Sequence, residues 1–434
     1  MLSARNIAAL GFMTFAMYLG AGNLIFPPYL GYQAGDNFLS GMAGFLLTGV
    51  GLPAIALVIV AWVRGSDNLT AALPKPLATG FWVMLFIVIG PAFIIPRTIT
   101  VAYQFSLAPF IGDSGLIPFS IVFCFAAILF SLYPGKLVNS LGKWLTPVLL
   151  TILTIMAVVA LLYPSGEVHV ASGPYATGAM AEGMTQGYMT MDALGSIGFG
   201  WVIFRAIEGM GVKCPKAIAK YTFIAAIMYA SAMALVYLSL AYIGVTSADL
   251  GTGFANGGEI LTAFTNLHFG AFGTIILGSV LVLACLTTAI GVTTAGSEFY
   301  SRSFSKVTYS KSVWVIMALS GLIANVGLAQ LLEVTLPVVV ALHPIAIALL
   351  MIAPLRHQLS QAAVLTVVAT AAVFGCVDAA HILGVMPTAV DKALTAHLPL
   401  YHYYAGWVLP TVLVLIAGWM VNRLGGYSYC VDNN

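Results

Sequence analysis

The sequence predicts an all-α polytopic membrane protein with about twelve transmembrane helices. Three observations carry that class. Apolar residues fill 61% of the 434 positions and charged residues only 7%, against roughly 45–50% and about 25% in a soluble domain. Mean hydropathy is +1.01. Apolar runs of about 20 residues, enough to cross a hydrocarbon core of roughly 30 Å, recur along the whole chain. With 16 basic and 14 acidic residues, a soluble protein of this length could not cover its surface, so the expected surroundings are a lipid bilayer. A net charge of +2 with no basic block excludes nucleic acid as a partner. The runs lack period-two alternation, which excludes a strand barrel. No segment calls for an obligate protein partner.

The runs lie near 6–30, 38–63, 78–107, 116–133, 143–163, 184–212, 221–246, 269–297, 312–329, 332–354, 361–385 and 403–423. The last part of 312–354 is nearly continuous and is divided between Gln330 and Glu333, because 43 residues of helix are too many for one crossing. The first run follows Arg5 and is too long for a cleaved signal segment, so it reads as a retained span. Placing the N-terminus inside puts 14 of the 16 basic residues on the cytoplasmic side, from Arg5, Arg64, Lys136 and Lys143 to Arg356 and Arg423. Lys392 falls outside and Arg97 within the third run. Asp36, Asp113, Glu167, Glu182, Asp249, Glu259 and Asp391 fall on the opposite side. Both termini are therefore expected in the cytoplasm of a plasma-membrane protein (the inner membrane of a bacterium). The external connection 164–183 is too short to fold alone, so the chain reads as one domain, 1–434. The five cysteines form no CxxC pair and read as small packing residues.

Two runs carry helix-breaking sequence near the bilayer midplane. The first holds Gly20-Ala21-Gly22-Asn23, followed by Pro27-Pro28; the sixth holds Gly195-Ser196-Ile197-Gly198-Phe199-Gly200. Glycine costs a helix interior about 1 kcal/mol relative to alanine, and proline about 3. A break at this depth frees backbone groups that lipid cannot satisfy, so it belongs where it faces protein or a watery cavity. The freed half-helix N-termini can hold an anion and the freed carbonyls a cation. Close helix packing is the competing reading of each cluster alone. Their matched positions, in runs one and six, point instead to two inverted five-helix halves, about 5–163 and 184–354, with two further helices at about 361–423. The eighth run adds Ala284, Thr287, Thr288, Gly291 and Thr294 on one helix face. Its hydroxyls can serve a hard cation such as sodium, or bond back to their own helix.

The motifs Gly20-Ala-Gly-Asn-Leu-Ile-Phe-Pro-Pro28, Gly44 to Pro53, Gly90 to Thr98, Gly187 to Leu194 and Leu283 to Gly291 resemble the branched-chain amino acid:cation symporter family, carriers of leucine, isoleucine and valine. The resemblance spans essentially the whole chain. Gln104 stands where that family often carries an acid. The family is similar in architecture to the leucine-transporter fold. That resemblance implies substrate between broken helices one and six, with sodium as coupling ion and no other cofactor. It places the Na+ ligands at the carbonyls of Ala16, Leu19 and Ala284 and the hydroxyls of Thr287 and Thr288. The substrate backbone is expected on Gly20 to Asn23 and Gly195 to Gly200, and its branched side chain against Ile197, Phe199 and Tyr103. The alternative reading is a proton-coupled carrier of other neutral amino acids.

Ionisable residues inside spans default to functional hypotheses. Asp192 either senses the substrate amine, carries a proton or caps an internal turn. Arg97 is expected to pair internally, in a gating or structural role. Arg205 and Glu208 are three apart and can pair as helix neighbours. His343 is the core histidine with a chance to titrate, and Asp378 reads as structural. No HExxH, GxSxG or Walker A motif supports an intramembrane enzyme, and no repeated filter supports a channel.

Overall fold

The computed structural model describes residues 2–63, 66–133 and 146–424. All regular structure among the described residues is helical. The longer helices are α1 (Ala4–Tyr18), α2 (Ala21–Ala34), α3 (Phe38–Leu46), α4 (Leu52–Trp62), α5 (Lys75–Ile87), α6 (Ile94–Ser106), α7 (Leu116–Ser131), α8 (Thr146–Leu162) and α9 (Tyr175–Met189). They continue as α10 (Asp192–Gly209), α11 (Pro215–Val245), α12 (Gly257–Phe269), α13 (Ala271–Ser303), α14 (Tyr309–Ala324), α15 (Leu328–Ile352), α16 (Gln361–Ile382), α17 (Thr388–His397) and α18 (Val408–Leu424). The expected apolar runs fall mainly on helix, but the division of 312–354 lies at 325–327 and not between Gln330 and Glu333, which are inside α15; 143–145, Arg64, Lys136 and Lys143 lie outside the described residues.

Among the described residues, six helical stretches are long and apolar enough to cross a membrane, and Leu116–Ser131, Thr146–Leu162, Tyr309–Ala324 and Val408–Leu424 are shorter apolar helices. One of the six, Ala21–Trp62, has 42 residues, about 63 Å of helix if straight, or twice a bilayer core. It turns at Gly35, whose φ of 47° is a left-handed conformation that glycine adopts without a Cβ clash. There the connection 164–174 ties in: Asp36 N donates to His169 O at 2.9 Å and Ala171 N to Asp36 Oδ1 at 2.9 Å. Wide turns of π type interrupt the second and third runs at Leu47–Gly51 and Val88–Ala92, the latter with Gly90 out of helical conformation and Pro91 beside it. Proline removes a donor and clashes with the preceding turn, which forces such a register change.

The chain divides into two compact units, one of Met1–Val58 with Phe86–Leu331 and one of Ile59–Leu85 with Leu332–Asn434. In the first, α2 packs on α11 and α3 on α9 at backbone contact. A Cβ on Gly244 would stand 1.9 Å from Pro28 O, and one on Gly44 1.9 Å from Met180 O. Small residues let membrane helices approach this closely, which is the source of their van der Waals attraction. In the second unit α16 packs on α18, and Asp378 is fully buried against the backbone of Gly406, where a Cβ would lie 2.9 Å from Oδ1. His343 Nδ1 sits 3.0 Å from Val339 O, one turn back on its own helix.

Candidate functional site

The first break is where the sequence places it. α1 ends at Tyr18, Leu19 and Gly20 leave the helical region (ψ 86° and −168°), and α2 starts at Ala21. Asn23 closes the new N-terminus, its Oδ1 accepting from Gly20 N at 3.0 Å. Pro27 and Pro28 do not contribute to the break; both sit inside α2.

The second break differs from the expectation. Gly195 to Gly200 is continuous helix within α10, and the interruption lies just before it, at Thr190 and Met191. Met191 holds a left-handed φ of 62°, and Asp192 opens α10, where a negative charge suits the helix dipole. The glycines serve packing: a Cβ on Gly198 would meet Phe86 at 3.1 Å and Ile89 at 3.4 Å.

Side chains tie the two breaks together. Asn23 Nδ2 donates to Asp192 Oδ2 at 2.5 Å and contacts Tyr237 OH, which itself donates to Asp192 Oδ2 at 3.3 Å. Tyr18 OH donates to Ser196 Oγ at 2.8 Å, and Ser196 Oγ to Asp192 O at 2.8 Å. Arg97, on α6, donates to the last carbonyls before the second break, Met189 O at 2.9 Å and Thr190 O at 3.2 Å. All of these groups are buried. Each polar pair inside a low-dielectric core therefore holds its geometry firmly.

A small cavity lies among these groups. Of the expected substrate residues, Gly20, Ala21, Asn23, Gly195 and Phe199 line it; the other lining residues include Met17, Ile94, Thr98, Met191 and Thr288. Its free volume is about 10 Å³, the room one water needs. Gly22 faces the Arg97 guanidinium. Ser196 is committed to Tyr18, Ile197 is fully buried, and Gly198 and Gly200 lie further along α10, off the lining. Tyr103 does not reach the cavity. Its hydroxyl donates to Gly112 O, accepts from Gly115 N at 2.9 Å, and so closes the loop after α6.

The oxygen face of α13 meets the first break. Thr287 Oγ1 lies 2.9 Å from both Ala16 O and Ala284 O, and Thr288 Oγ1 donates to Met17 O at 3.2 Å. A Cβ on Gly20 would stand 3.0 Å from Thr288 Oγ1. Ala16, Ala284, Thr287 and Thr288 thus converge, with Leu19 at the unwound turn beside them. Carbonyl and hydroxyl oxygens are the donor set a hard monovalent cation takes.

Further along α10, sequence reasoning missed a cluster. Trp201 Nε1 donates to Glu298 Oε2, and the Arg302 guanidinium covers the Trp201 ring at 4.0 Å. A tryptophan on one helix and an acid on another, 97 residues apart, leave no local signal. The Arg205–Glu208 pair is present at 3.2 Å and well exposed, so it contributes little.

The chain matches the family described as branched-chain amino acid transport protein over residues 3–424. It is 40% identical to the branched-chain amino acid transport system 2 carrier protein of Pseudomonas aeruginosa, over 98% of each chain. Identity to the branched-chain amino acid permease BrnQ is 36% in Escherichia coli K12, over 98% of this chain and 97% of that one, and 34% in Bacillus subtilis, over 97% and 98%. Among solved structures, the nucleobase-cation-symport-1 transporter Mhp1 superposes with a TM-score of 0.62 at 15% identity, covering 96% of this chain and 93% of that one. An Eremococcus coleocola manganese transporter gives 0.57 at 12%, covering 96% and 94%. The fold is that of these transporters, and the match along the chain places the protein in the branched-chain amino acid transport protein family, a family of membrane transporters and not of enzymes.

Proposed function

We propose that the protein imports leucine, isoleucine and valine with a co-transported cation, sodium, by alternating access. The observation that carries this reading is the meeting of two helix breaks at one enclosed cavity, joined through Asn23 and Asp192, in a chain whose relatives are named as branched-chain amino acid carriers. The same reading takes the helices as twelve crossings. Two inverted five-helix halves run about 5–163 and 184–354, two helices follow, and both termini are cytoplasmic in the plasma membrane.

A zwitterionic substrate needs donors for its carboxylate and acceptors for its ammonium. The first-turn N–H groups of α2 supply donors, and the carbonyls beside the breaks supply acceptors. Met17, Ile94, Met191 and Phe199 give the cavity an apolar wall for a branched side chain. At its present size the cavity does not admit leucine, so entry requires the broken helices to move apart. Sodium is assigned to the oxygens of Ala16, Leu19, Ala284, Thr287 and Thr288. There the threonine hydroxyls turn their protons away and present lone pairs, and five oxygens are gathered without a carboxylate.

One observation favours a second reading, a proton-coupled carrier of other neutral amino acids: Asp192 is a buried carboxylate on the cavity wall. Uptake of labelled leucine into proteoliposomes decides between them. An inward sodium gradient at equal pH drives accumulation on the first reading. Accumulation driven by a proton gradient and indifferent to sodium overturns it.

A further inference from the structure

Arg97 stands in an unusual electrostatic position. It is 3% exposed, on α6, and lines the cavity. Its Nη1 and Nη2 hydrogen bonds go to two carbonyls, Met189 O and Thr190 O, and its guanidinium lies 5.7 Å from the Phe26 ring centre. Nε has no acceptor among the described residues. Carbonyl partners cap the end of α9 but do not neutralise a full positive charge, and no carboxylate lies within ion-pair distance of Arg97 among the described residues. The carboxylate of Asp192, on the same wall, is held by Asn23 and Tyr237.

The opposite face of the guanidinium sharpens the point. It packs on Gly22, where a Cβ would come within 3.0 Å of Nη2. Gly22 is in the first turn of α2, the positive end of a helix dipole, where N–H groups lack helical partners. A buried cation and a helix N-terminus therefore point their positive potentials at one place. Each disfavours the other unless an anion sits between or beside them. A carboxylate matches both, since its two oxygens can take a guanidinium N–H and a backbone N–H together. Glycine at position 22 lets the guanidinium rest against the first turn of α2, with Phe26 and Arg97 filling the space a side chain would take.

We propose that Arg97 is the receptor for the α-carboxylate of the substrate, acting with the first-turn N–H groups of α2. The inference rests on the amino acid transport reading above and replaces a purely backbone carboxylate site with a charged one. Asp192 lines the same cavity and acts on Arg97 through space, so the wall presents one charge of each sign, which suits a zwitterion with its carboxylate on Arg97.

The test uses full-length protein, purified in detergent and in proteoliposomes. The ligands are leucine and leucinamide, which share the ammonium and side chain but differ in the carboxylate charge. Binding is read by thermal shift and by competition against labelled leucine. Wild type should prefer leucine to leucinamide by on the order of 10- to 100-fold, the scale of a charge-assisted contact. In Arg97→Gln that preference should fall to a fewfold, with leucine weakened and leucinamide little changed. Arg97→Lys should retain part of the preference, because it keeps the charge but not the fork. Gly22→Ala, whose Cβ would stand 3.0 Å from Nη2 and so displaces the guanidinium from the first turn of α2, should lower leucine affinity selectively and serves if the arginine variants do not fold. An equal loss for leucine and leucinamide in these variants overturns the proposal and leaves Arg97 as a cap for α9. An undiminished preference overturns it too. Failure of wild type to bind leucine at all overturns the transport reading first, and the carboxylate receptor with it.

Discussion

Replacing Thr287 and Thr288 by valine tests the cation assignment most directly. Valine keeps the branched shape and deletes the two hydroxyl oxygens, which stand 2.9 Å from Ala16 O and Ala284 O and 3.2 Å from Met17 O. A contact between a polar group and a charge contributes about 1.5–3 kcal/mol, and tenfold in affinity is about 1.4 kcal/mol. Each single change should raise half-saturating sodium roughly 10- to 150-fold, and the double change by on the order of a hundredfold or more. Thr287→Ser, which keeps the oxygen, should stay within a fewfold of wild type. Without sodium the same changes remove ordinary hydrogen bonds between α1 and α13, worth about 0.5–1.5 kcal/mol each. Protein stability therefore falls somewhat with or without the ion. The informative quantity is the increment sodium adds, because a ligand at 100 times its Kd stabilises the folded state by about 2.7 kcal/mol. Two assays read it: sodium titrations of leucine uptake in proteoliposomes, and the rise of the thermal midpoint with sodium in detergent. A double valine variant with unchanged sodium activation and an unchanged thermal increment refutes the site.

Other outcomes follow from other contacts. The cavity wall of Ile94, Met191 and Phe199 should make alanine a poorer competitor of leucine uptake than leucine itself. Two to three methylenes at about 0.8 kcal/mol each correspond to roughly 15- to 60-fold, and equal competition excludes an apolar side-chain pocket. Gly244→Ala should abolish monodisperse folded protein on gel filtration, since its Cβ would stand 1.9 Å from Pro28 O. Gly80→Ala in α5, with nothing within 4 Å of the new Cβ, should raise stability by about 0.5–1 kcal/mol. In the short helix α17, the Asp391 carboxylate accepts from Tyr401 at 2.9 Å and pairs with His381 at 2.5 Å. The Tyr401 hydrogen bond and then the histidine hold its pKa below the ordinary 3.8. A depressed carboxylate stabilises the fold above its unfolded pKa and loses that contribution as pH falls through the folded value. The thermal-midpoint gap between wild type and Asp391→Asn should thus narrow below about pH 4; a gap that persists undiminished into that range contradicts the pairing.

The sequence made the first break and the hydroxyl face of α13 legible because both are local patterns. Gly20 and Gly22 are adjacent signals against helix, and Thr287 and Thr288 share a face by spacing alone. The second break was harder to read. Its glycine run, Gly195 to Gly200, looked weaker as a helix than the Thr190-Met191-Asp192 segment before it. Packing reverses that order: Gly198 gains close contact with Phe86 and Ile89, which offsets its poor propensity. The sequence signal that does mark the break is the acid at the start of α10. Tyr103 misled for a related reason. An aromatic residue two turns beyond a proline reads equally well as a pocket wall or a loop clasp, and only the position of Gly112 and Gly115 separates the two. The Asn23–Asp192 bridge joins residues 169 apart. No periodicity reports a pairing of that range.

The physical link between cation and substrate follows from shared residues. Gly20 and Thr288 line the substrate cavity, yet Thr288 also bonds to Met17 O and approaches Gly20 closely. The preceding residue, Thr287, joins Ala16 O to Ala284 O. The unwound residue Gly20 therefore lines the cavity and also stands against Thr288, at the side of the oxygen cluster. A cation pulling Ala16, Leu19 and Ala284 oxygens together fixes the start of α2. The N–H groups of its first turn, and the Arg97 guanidinium resting on Gly22, then hold the geometry a carboxylate requires. A substrate that draws α2 toward α10 fixes the same turn from the other side. Neither ligand needs to touch the other for each to favour the arrangement that binds its partner. The coupling must be reciprocal, with sodium raising leucine affinity by the same factor as leucine raises sodium affinity. Titrating each ligand with and without the other measures that common factor, and a factor of one contradicts a shared hinge at Leu19 and Gly20.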